Sequence, residues 1–343
     1  MSASISPRPA FSLGRTLVTG ADGFIGSHVC ENFAAQGVEV TALTRRSDAT
    51  AIPGVTPAYT SDLLDRDAIR RALNGVQCVV HLAGRVHAGR ERLHDRASEC
   101  QRVNVEGTRL LLEEAVGAGV SRFVFISSVK AVAESSDVPL DETTPPLPGD
   151  AYGESKLEAE RLVRVVALRE GMHAPILRLP LVYGPGVKSN MLRLFSAVDR
   201  GFPLPFASIR NRRSFAHVGN VVEAIAAVLR TPAAGTETFF VSDGSDLSTP
   251  ELIRCIARSL GRTPQLFSVP LGAIRAAVGT LLLLSRITRF HFTQDSLTAL
   301  VGSLFVDTSK IRQMTGYTAP VSVDEGLDQT ATWLRARKHS EAE

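Results

Sequence analysis

Cysteine is scarce: Cys30, Cys78, Cys100 and Cys255 are the only four in 343 residues, and they follow neither metal-ligand nor redox spacing. That pattern excludes a disulfide framework, a zinc ribbon and dithiol chemistry. Each thiol sits in or beside an apolar stretch and is expected to be buried and reduced, and no metal is expected. Charge of one sign is equally scarce. A net charge of +3 marks neither a nucleic-acid partner nor a membrane-surface partner. Long apolar runs are missing too. The greasiest, Ala276 to Leu284 between Arg275 and Arg286, falls far short of the ~20 residues needed to span a bilayer, so it is expected to be a helix buried in a second domain. The opening Met1 to Pro9 has no apolar core of the kind a secretion signal carries. It is expected to be a disordered leader, and the protein to be cytoplasmic. Repeats and low-complexity segments are absent.

The chain is 44% hydrophobic and 21% charged, enough to bury one large core or two smaller ones. Through its first half, strand and helix patterns alternate: Arg15–Thr19, a helix from Phe24, Val38–Leu43, a short strand near Val55–Tyr59, a helix over Asp65–Leu73, Cys78–Leu82, a long helix from about Arg96 to Ala118, then Arg122–Ile126. The alternation predicts an α/β protein with a Rossmann-like, doubly wound parallel sheet. A helix over Tyr152–Arg169 and a strand over Pro175–Leu179 continue it. After that, Pro180, Pro185, Pro203 and Pro205 mark loops, Thr238 opens a return strand, and Thr249-Pro250 opens C-terminal helices. We therefore expect a nucleotide-binding domain over 12–179 with a return segment near 214–242, and a smaller, interleaved C-terminal substrate domain over 180–213 and 243–335.

Two local patterns carry chemistry. Gly20-Ala-Asp-Gly23-Phe24-Ile25-Gly26 joins the first strand to the first helix. Its glycines suit a tight turn, close backbone approach to a pyrophosphate and close helix-sheet packing, and the helix N-terminus turns its free N–H groups toward the phosphates. Tyr152 and Lys156, four apart on a helix, share one face. A tyrosine is a poor acid or base at neutral pH, but a neighbouring ammonium favours its phenolate, so Lys156 is expected to bring the Tyr152 pKa down. Ser127 and Ser128 follow at the end of the strand Arg122–Ile126, where sites on parallel sheets form. Hydroxyls there can hold a substrate alcohol or carbonyl for hydride transfer.

Taken in order, the glycine loop, His81-Leu82-Ala83-Gly84, Asn104-Val-Glu-Gly-Thr, Ser127-Ser128, Tyr152-x-x-x-Lys156 and Leu181-Val-Tyr-Gly-Pro-Gly186 resemble the extended short-chain dehydrogenases/reductases that act on nucleotide sugars. The resemblance runs from about Leu13 to Trp333. It implies that Ser128, Tyr152 and Lys156 are catalytic, with Tyr152 the acid and base and Lys156 on the nicotinamide ribose. It implies a nicotinamide cofactor held by Gly20, Gly23, Phe24, Ile25, Gly26, Leu82, Ala83 and Gly84, with Asp62 and Leu63 at the adenine. Asn104 resembles a residue that supports the loop behind the nicotinamide, or else it caps a helix. Ser127, Ser128, Asn190 and Arg213 are implied at the substrate, the last two on the diphosphate of a UDP-sugar.

Departures from the family pattern sharpen the reading. Dehydratases carry Asp-Glu after the catalytic Thr, whereas Val129-Lys130 stands here, so 4,6-dehydration is set aside. NAD-selective members end strand two with an acidic residue, whereas this chain has Arg45 and Arg46, which suit a 2′-phosphate. NADP(H) is thus favoured and NAD(H) remains possible. Leu181 replaces a sugar-touching Asn, and an Arg common in galactose epimerases is missing near Leu300. The motifs lie closest to a subgroup that reduces UDP-4-keto-6-deoxy-N-acetylhexosamines or epimerises UDP-sugars at C4. The leading expectation is NADPH-dependent reduction of a UDP-4-keto sugar, and the alternative is a UDP-glucose or UDP-N-acetylglucosamine 4-epimerase with bound NAD. A catalytically idle nucleotide-binding regulator is the reading from another class. The helices Arg96–Ala118 and Tyr152–Arg169 resemble those that pair in family homodimers.

Overall fold

In a computed structural model of the chain, residues 13–46, 52–86, 93–270, 272–273 and 300–340 are described. The run from Ala276 to Leu284 and the leader lie outside the described residues. Seven parallel strands form the main sheet: β1 (Thr16–Thr19), β2 (Val40–Thr44), β3 (Val55–Tyr59), β4 (Cys78–His81), β5 (Arg122–Ser128), β6 (Ile176–Leu179) and β9 (Thr238–Phe240). Their order is β3-β2-β1-β4-β5-β6-β9, so the chain reverses direction across the sheet between β1 and β4, where doubly wound sheets open a ligand crevice. A separate parallel pair, β7 (Leu181–Tyr183) and β8 (Phe215–His217), stands beyond the C-terminal edge.

Burial explains the strand sequences. Every residue of β1 and β4 is buried, as expected for central parallel strands covered on both faces. Adjacent residues serve opposite layers: Leu17, Val79 and Phe123 face one core, and Val18, Val80 and Val124 the other, following the two-residue period of a strand. β3 tolerates Pro57 because it is an edge strand, paired to β2 alone among the named strands, and a proline lacks only a donor that an edge can spare.

Helices α1 (Phe24–Ala35) and α7 (Val218–Arg230) cover one face. On the other lie α2 (Arg66–Ala72), α4 (Gly107–Gly117) and α5 (Ala151–Glu170). A third core joins α6 (Ser189–Asp199), α8 (Thr249–Ser259) and α10 (Val323–Ser340) around Phe195, Phe215, Ile256 and Leu327. A full capping box between Ser248 and Glu251, with Pro250 in the first turn, starts α8. The chain passes from this lobe to the sheet through α7 and β9 and re-enters the lobe at α8. It also returns to the sheet a second time: Ile311 of α9 (Ser309–Thr315) and Tyr317 pack into the core shared by α1 and α7, and Leu304 and Val306 pack with Val129, Val132 and Leu140, so the described residues of 243–335 divide among three cores. Among the described residues no helix is long and apolar enough to cross a membrane.

The long helix expected over Arg96–Ala118 is broken in its middle. α3 (Leu93–Cys100) passes into a π-helical turn, Gln101–Glu106, before α4 begins. Such turns occur frequently at functional sites, and this one carries the buried Asn104.

Candidate active site

The glycine loop closes over the crevice between β1 and β4. Gly20 has φ +67°, and a Cβ on it would stand 2.9 Å from the Ala83 nitrogen; on Gly26 it would stand 2.1 Å from the Gly20 carbonyl oxygen. Nothing larger than hydrogen fits at Gly26 without moving backbone. No side chain caps α1 at Gly23, so its first-turn N–H groups are available to an anion. Gly20, Gly23, Arg45, Asp62, Leu63, Leu82, Ala83 and Gly84 line this cleft. Ile25 packs against the sheet core and Phe24 against the second lobe, while Arg46 is exposed, its backbone N–H bonded to Thr44 Oγ1. The Asp62 carboxylate is ion-paired with Arg102, which also holds Glu99 at 3.0 Å. Burial draws the Asp62 carboxyl upward, but the Arg102 hydrogen bond and charge together with the Leu63 and Leu64 N–H groups outweigh it and leave the group below the usual carboxylate range. A nicotinamide dinucleotide fits this cleft on its chemistry: bare glycine backbone, a helix N-terminus for the pyrophosphate, and a guanidinium at the end of β2.

α5 brings Tyr152 and Lys156 to the C-terminal edge of β5. Asp150 caps the helix by accepting from the Gly153 N–H at 2.7 Å, and Gly171, in the left-handed region, ends it. Gly153 permits the approach, since a Cβ there would lie 2.3 Å from the Lys130 carbonyl oxygen. Ser128 caps the short turn Val129–Ala131 and shares a hydrogen bond with Tyr152. Burial pushes the phenol up to about 12, with the Ser128 bond pulling the other way. The expected lowering by Lys156 is therefore not found. The physical reason is where the ammonium points: Lys156 Nζ donates to the Ile126 carbonyl at 2.8 Å and lies 4.8 Å from the centre of the Phe125 ring. Burial also brings Lys156 down to about 8, opposed by the Glu160 charge. The ammonium stays beside the cleft, 3.3 Å from where a Cβ on Gly84 would be.

Asn104, fully buried in the π-helical turn, is not a helix cap. Its Oδ1 accepts from the Arg85 N–H at 2.6 Å, and its Nδ2 donates to the Arg85 carbonyl at 3.1 Å and to Ser155 Oγ at 2.9 Å. It ties the loop after β4 to the helix that carries Tyr152.

On the substrate side the expected residues separate. Ser127 does not face a ligand: strand alternation turns it away from Ser128, and its Oγ donates to Glu160 Oε1 at 2.5 Å. Asn190 is exposed in the first turn of α6. Arg213 is half-buried, its backbone bridged to Leu247 and Leu304 and its Nη1 donating to the Gly302 carbonyl at 3.0 Å. Burial lowers it to about 10, with Glu134 pulling upward. Lys130 binds Asp150 at 2.8 Å and Glu134 at 2.9 Å, so the position where dehydratases place a free acid is engaged in holding the start of α5. Leu181 packs into the second-lobe core.

Sequence reading missed two buried groups. His81 joins Thr19 and Thr108, although its place at the end of a central strand, beside the glycine loop, was a signal. Glu160 and Arg178 form an ion pair at 2.7 Å, their side chains 2% and 6% exposed. The visible sign was a carboxylate four residues beyond Lys156.

Comparison with known proteins agrees with this geometry. Residues 16–241 match the profile of the NAD dependent epimerase/dehydratase family. A UDP-glucose 4-epimerase of Vibrio cholerae is 34% identical over 327 residues, covering 92% of this chain and 94% of that protein. The N-acetyl-alpha-D-glucosaminyl-diphospho-ditrans,octacis-undecaprenol 4-epimerase of Escherichia coli O157:H7 is 29% identical, covering 92% of this chain and 93% of the relative. Among solved structures, MoeE5 in complex with UDP-glucuronic acid and NAD superposes with a TM-score of 0.76 at 29% identity, covering 94% of this chain and all of that one. A cleft built by glycines between β1 and β4, a Ser-Tyr-Lys cluster at the edge of β5, and a match over most of the chain lead to one conclusion: the protein belongs to the NAD-dependent epimerase/dehydratase family, an extended short-chain dehydrogenase/reductase.

Proposed function

We propose that the protein is a 4-epimerase of a UDP-hexose or UDP-N-acetylhexosamine that works with bound NAD. The observation that carries the reading is the Ser128–Tyr152 hydrogen bond at the mouth of a dinucleotide cleft. A sugar C4 hydroxyl shared by these two groups would be poised to lose a proton to Tyr152 while Ser128 holds the oxygen. Gly20, Gly23 and Gly26 would hold the pyrophosphate, Asp62 and Leu63 the adenine end, and Lys156 the nicotinamide ribose. When bound, the nicotinamide accepts and returns the hydride, and its positive charge would favour the Tyr152 phenolate that burial opposes. Tyr152 then returns the proton once the keto sugar has presented its other face. Arg213, already desolvated, would bind the diphosphate, and Asn190 on α6 would serve the same group. Val129 and the engaged Lys130 supply no acid for elimination, which argues against 4,6-dehydration even though a dTDP-glucose 4,6-dehydratase of Streptomyces niveus is 27% identical.

The preference for epimerisation over the reduction expected from sequence rests on the names of the full-length relatives and on NAD in the MoeE5 complex. Reduction with NADPH is the second reading, favoured by Arg45 in the cleft and by the lack of an acidic residue at the end of β2. One experiment separates them. The nucleotide released on denaturing the purified protein should be NAD, and UDP-glucose or UDP-N-acetylglucosamine should be converted to its C4 epimer, seen by proton NMR, without added cofactor. An empty site that needs NADPH and a 4-keto sugar would select the reductase. We also propose a homodimer built on α4 and α5, since Val165 and Leu168 of α5 are 63% and 67% exposed.

A further inference from the structure

Glu160 lies one helical turn beyond Lys156 on α5, and residues four apart share a helix face. It is 2% exposed and accepts from three donors on two strands. Ser127 Oγ of β5 donates to Oε1 at 2.5 Å, while Arg178 of β6 donates from Nε to Oε1 at 3.0 Å and from Nη2 to Oε2 at 2.7 Å. The guanidinium in turn lies over the Phe240 ring of β9, 5.5 Å from its centre. α5 is thereby fastened to the sheet at the level of the catalytic turn.

Stability alone does not account for this arrangement, because replacing a buried ion pair by apolar side chains of similar volume is often neutral or stabilising. Lys156 supplies another reason. It is 4% exposed, and a buried ammonium without a counter-charge gives up its proton. Around it stand Tyr152 and Glu160 on its own helix, the Cys100 thiol of α3, and His81 of β4, which burial holds neutral with a pKa of about 3. Phe125 and the Ile126 carbonyl of β5 complete the surroundings. Of these, Glu160, one turn along the same helix face, is the carboxylate whose charge acts on the ammonium.

We propose that Glu160 is a positioning residue of the nucleotide site: clamped by Arg178 and Ser127, it fixes the helical turn that carries Lys156 and sets beneath the ammonium the negative charge that keeps it protonated. The inference rests on the reading of Lys156 as part of that site, but it is tested on the ammonium itself. The chain has five lysines, Lys130, Lys156, Lys188, Lys310 and Lys338, so the Cε resonances of 13C-lysine-labelled protein can be resolved, with Lys156 assigned from Lys156→Met. In the wild type its titration midpoint should lie near 8. In Glu160→Gln it should fall by about one pH unit or more. Because Glu160→Gln leaves Arg178 buried without its partner and can unfold the protein, the double variant Glu160→Met/Arg178→Met is titrated alongside; it removes both charges, should stay folded, and should show a lower midpoint by a smaller amount, since the more distant Arg178 cation is lost with the carboxylate. A midpoint unmoved from the wild-type value in either folded variant overturns the proposal. Failure to bind NAD or to turn over a UDP-sugar would instead strike the functional reading and leave this titration untouched.

Discussion

His81 Nε2 lies 2.9 Å from Thr108 Oγ1, and the direction of that hydrogen bond is set by the bonds on either side of it. Thr108 spends its proton on the Asn104 carbonyl at 2.6 Å, so it can only accept from His81. At the other end, Thr19 Oγ1 accepts from the Ala83 N–H at 3.1 Å and therefore donates to His81 Nδ1 at 2.7 Å. A neutral imidazole with its proton on Nε2 satisfies every group. The relay connects the end of β1, the loop after β4 and the π-helical turn, all three of which bound the cofactor cleft. A second proton on Nδ1 would meet a hydroxyl already donating to it.

Acid should therefore destabilise the fold through His81. Burial first, and then the Lys156 charge, lower its pKa to about 3, below the ordinary value of 6.5. For a depressed pKa the stabilising share is complete above the unfolded value and is lost as pH falls through the window from 6.5 toward 3, at up to about 1.36 kcal/mol per unit. Chemical denaturation between pH 7 and pH 4 should show His81→Gln losing less stability than wild type on acidification, by about 1 kcal/mol per unit. Parallel curves for the two proteins would refute the assignment.

Gly26→Ala should damage both fold and cofactor binding, because the new methyl would sit 2.1 Å from the Gly20 oxygen. Overpacking of this kind costs about 1–3 kcal/mol. A lowered melting temperature together with NAD affinity weakened by about tenfold or more is expected; a variant that binds NAD normally would show that the loop can open without loss.

Tyr152→Phe removes only the transferable proton. Turnover should fall by about 10²–10⁴-fold while NAD binding, measured by titration, stays near wild type. Near-normal turnover would remove Tyr152 from the chemistry.

Arg45→Ala combined with Arg46→Ala tests cofactor choice. Arg45 lines the cleft, and a 2′-phosphate is the one group that distinguishes NADP(H) from NAD(H) there. Under the epimerase reading both affinities for NAD forms should hold within about twofold while any NADPH affinity drops, since charge-assisted bonds are worth about 1.5–3 kcal/mol. A loss confined to NADPH in a protein that purifies empty would strengthen the reductase.

Arg213→Ala should weaken UDP binding by about tenfold or more, as loss of a charge-assisted hydrogen bond predicts, and leave NAD binding unchanged. Isothermal titration of UDP into the variant decides it. Unaltered UDP affinity would leave Arg213 with a structural role, holding the Gly302 carbonyl.

Much of this molecule is legible in one dimension because its signals are local. The buried runs at Thr16–Thr19 and Cys78–His81, the glycine spacing from Gly20 to Gly26, and the Tyr152–Lys156 interval each arise within a single turn or strand, where backbone geometry dictates residue type. Arg45 at the end of β2 and the acid-free Val129-Lys130 are equally direct, since each occupies a position that the sheet carries to its C-terminal edge. These determined the α/β class, the place of the cleft and which residues gather at the edge of β5.

What the tertiary structure alone decided concerns partners distant in sequence. Ser127 reads as a second substrate hydroxyl until β6 brings Arg178, and α5 brings Glu160, to the face it occupies. Tyr152 reads as a phenol lowered by its lysine until burial reverses the sign. Asn104 reads equally as a loop support or a helix cap until folding brings the Arg85 backbone and Ser155 to its amide, and Ile311 joins the first core only because the chain crosses back over α7. Hydrogen-bond direction, desolvation and the choice of counter-charge depend on which atoms surround a group in space. A linear order supplies the groups, and packing decides which of them meet.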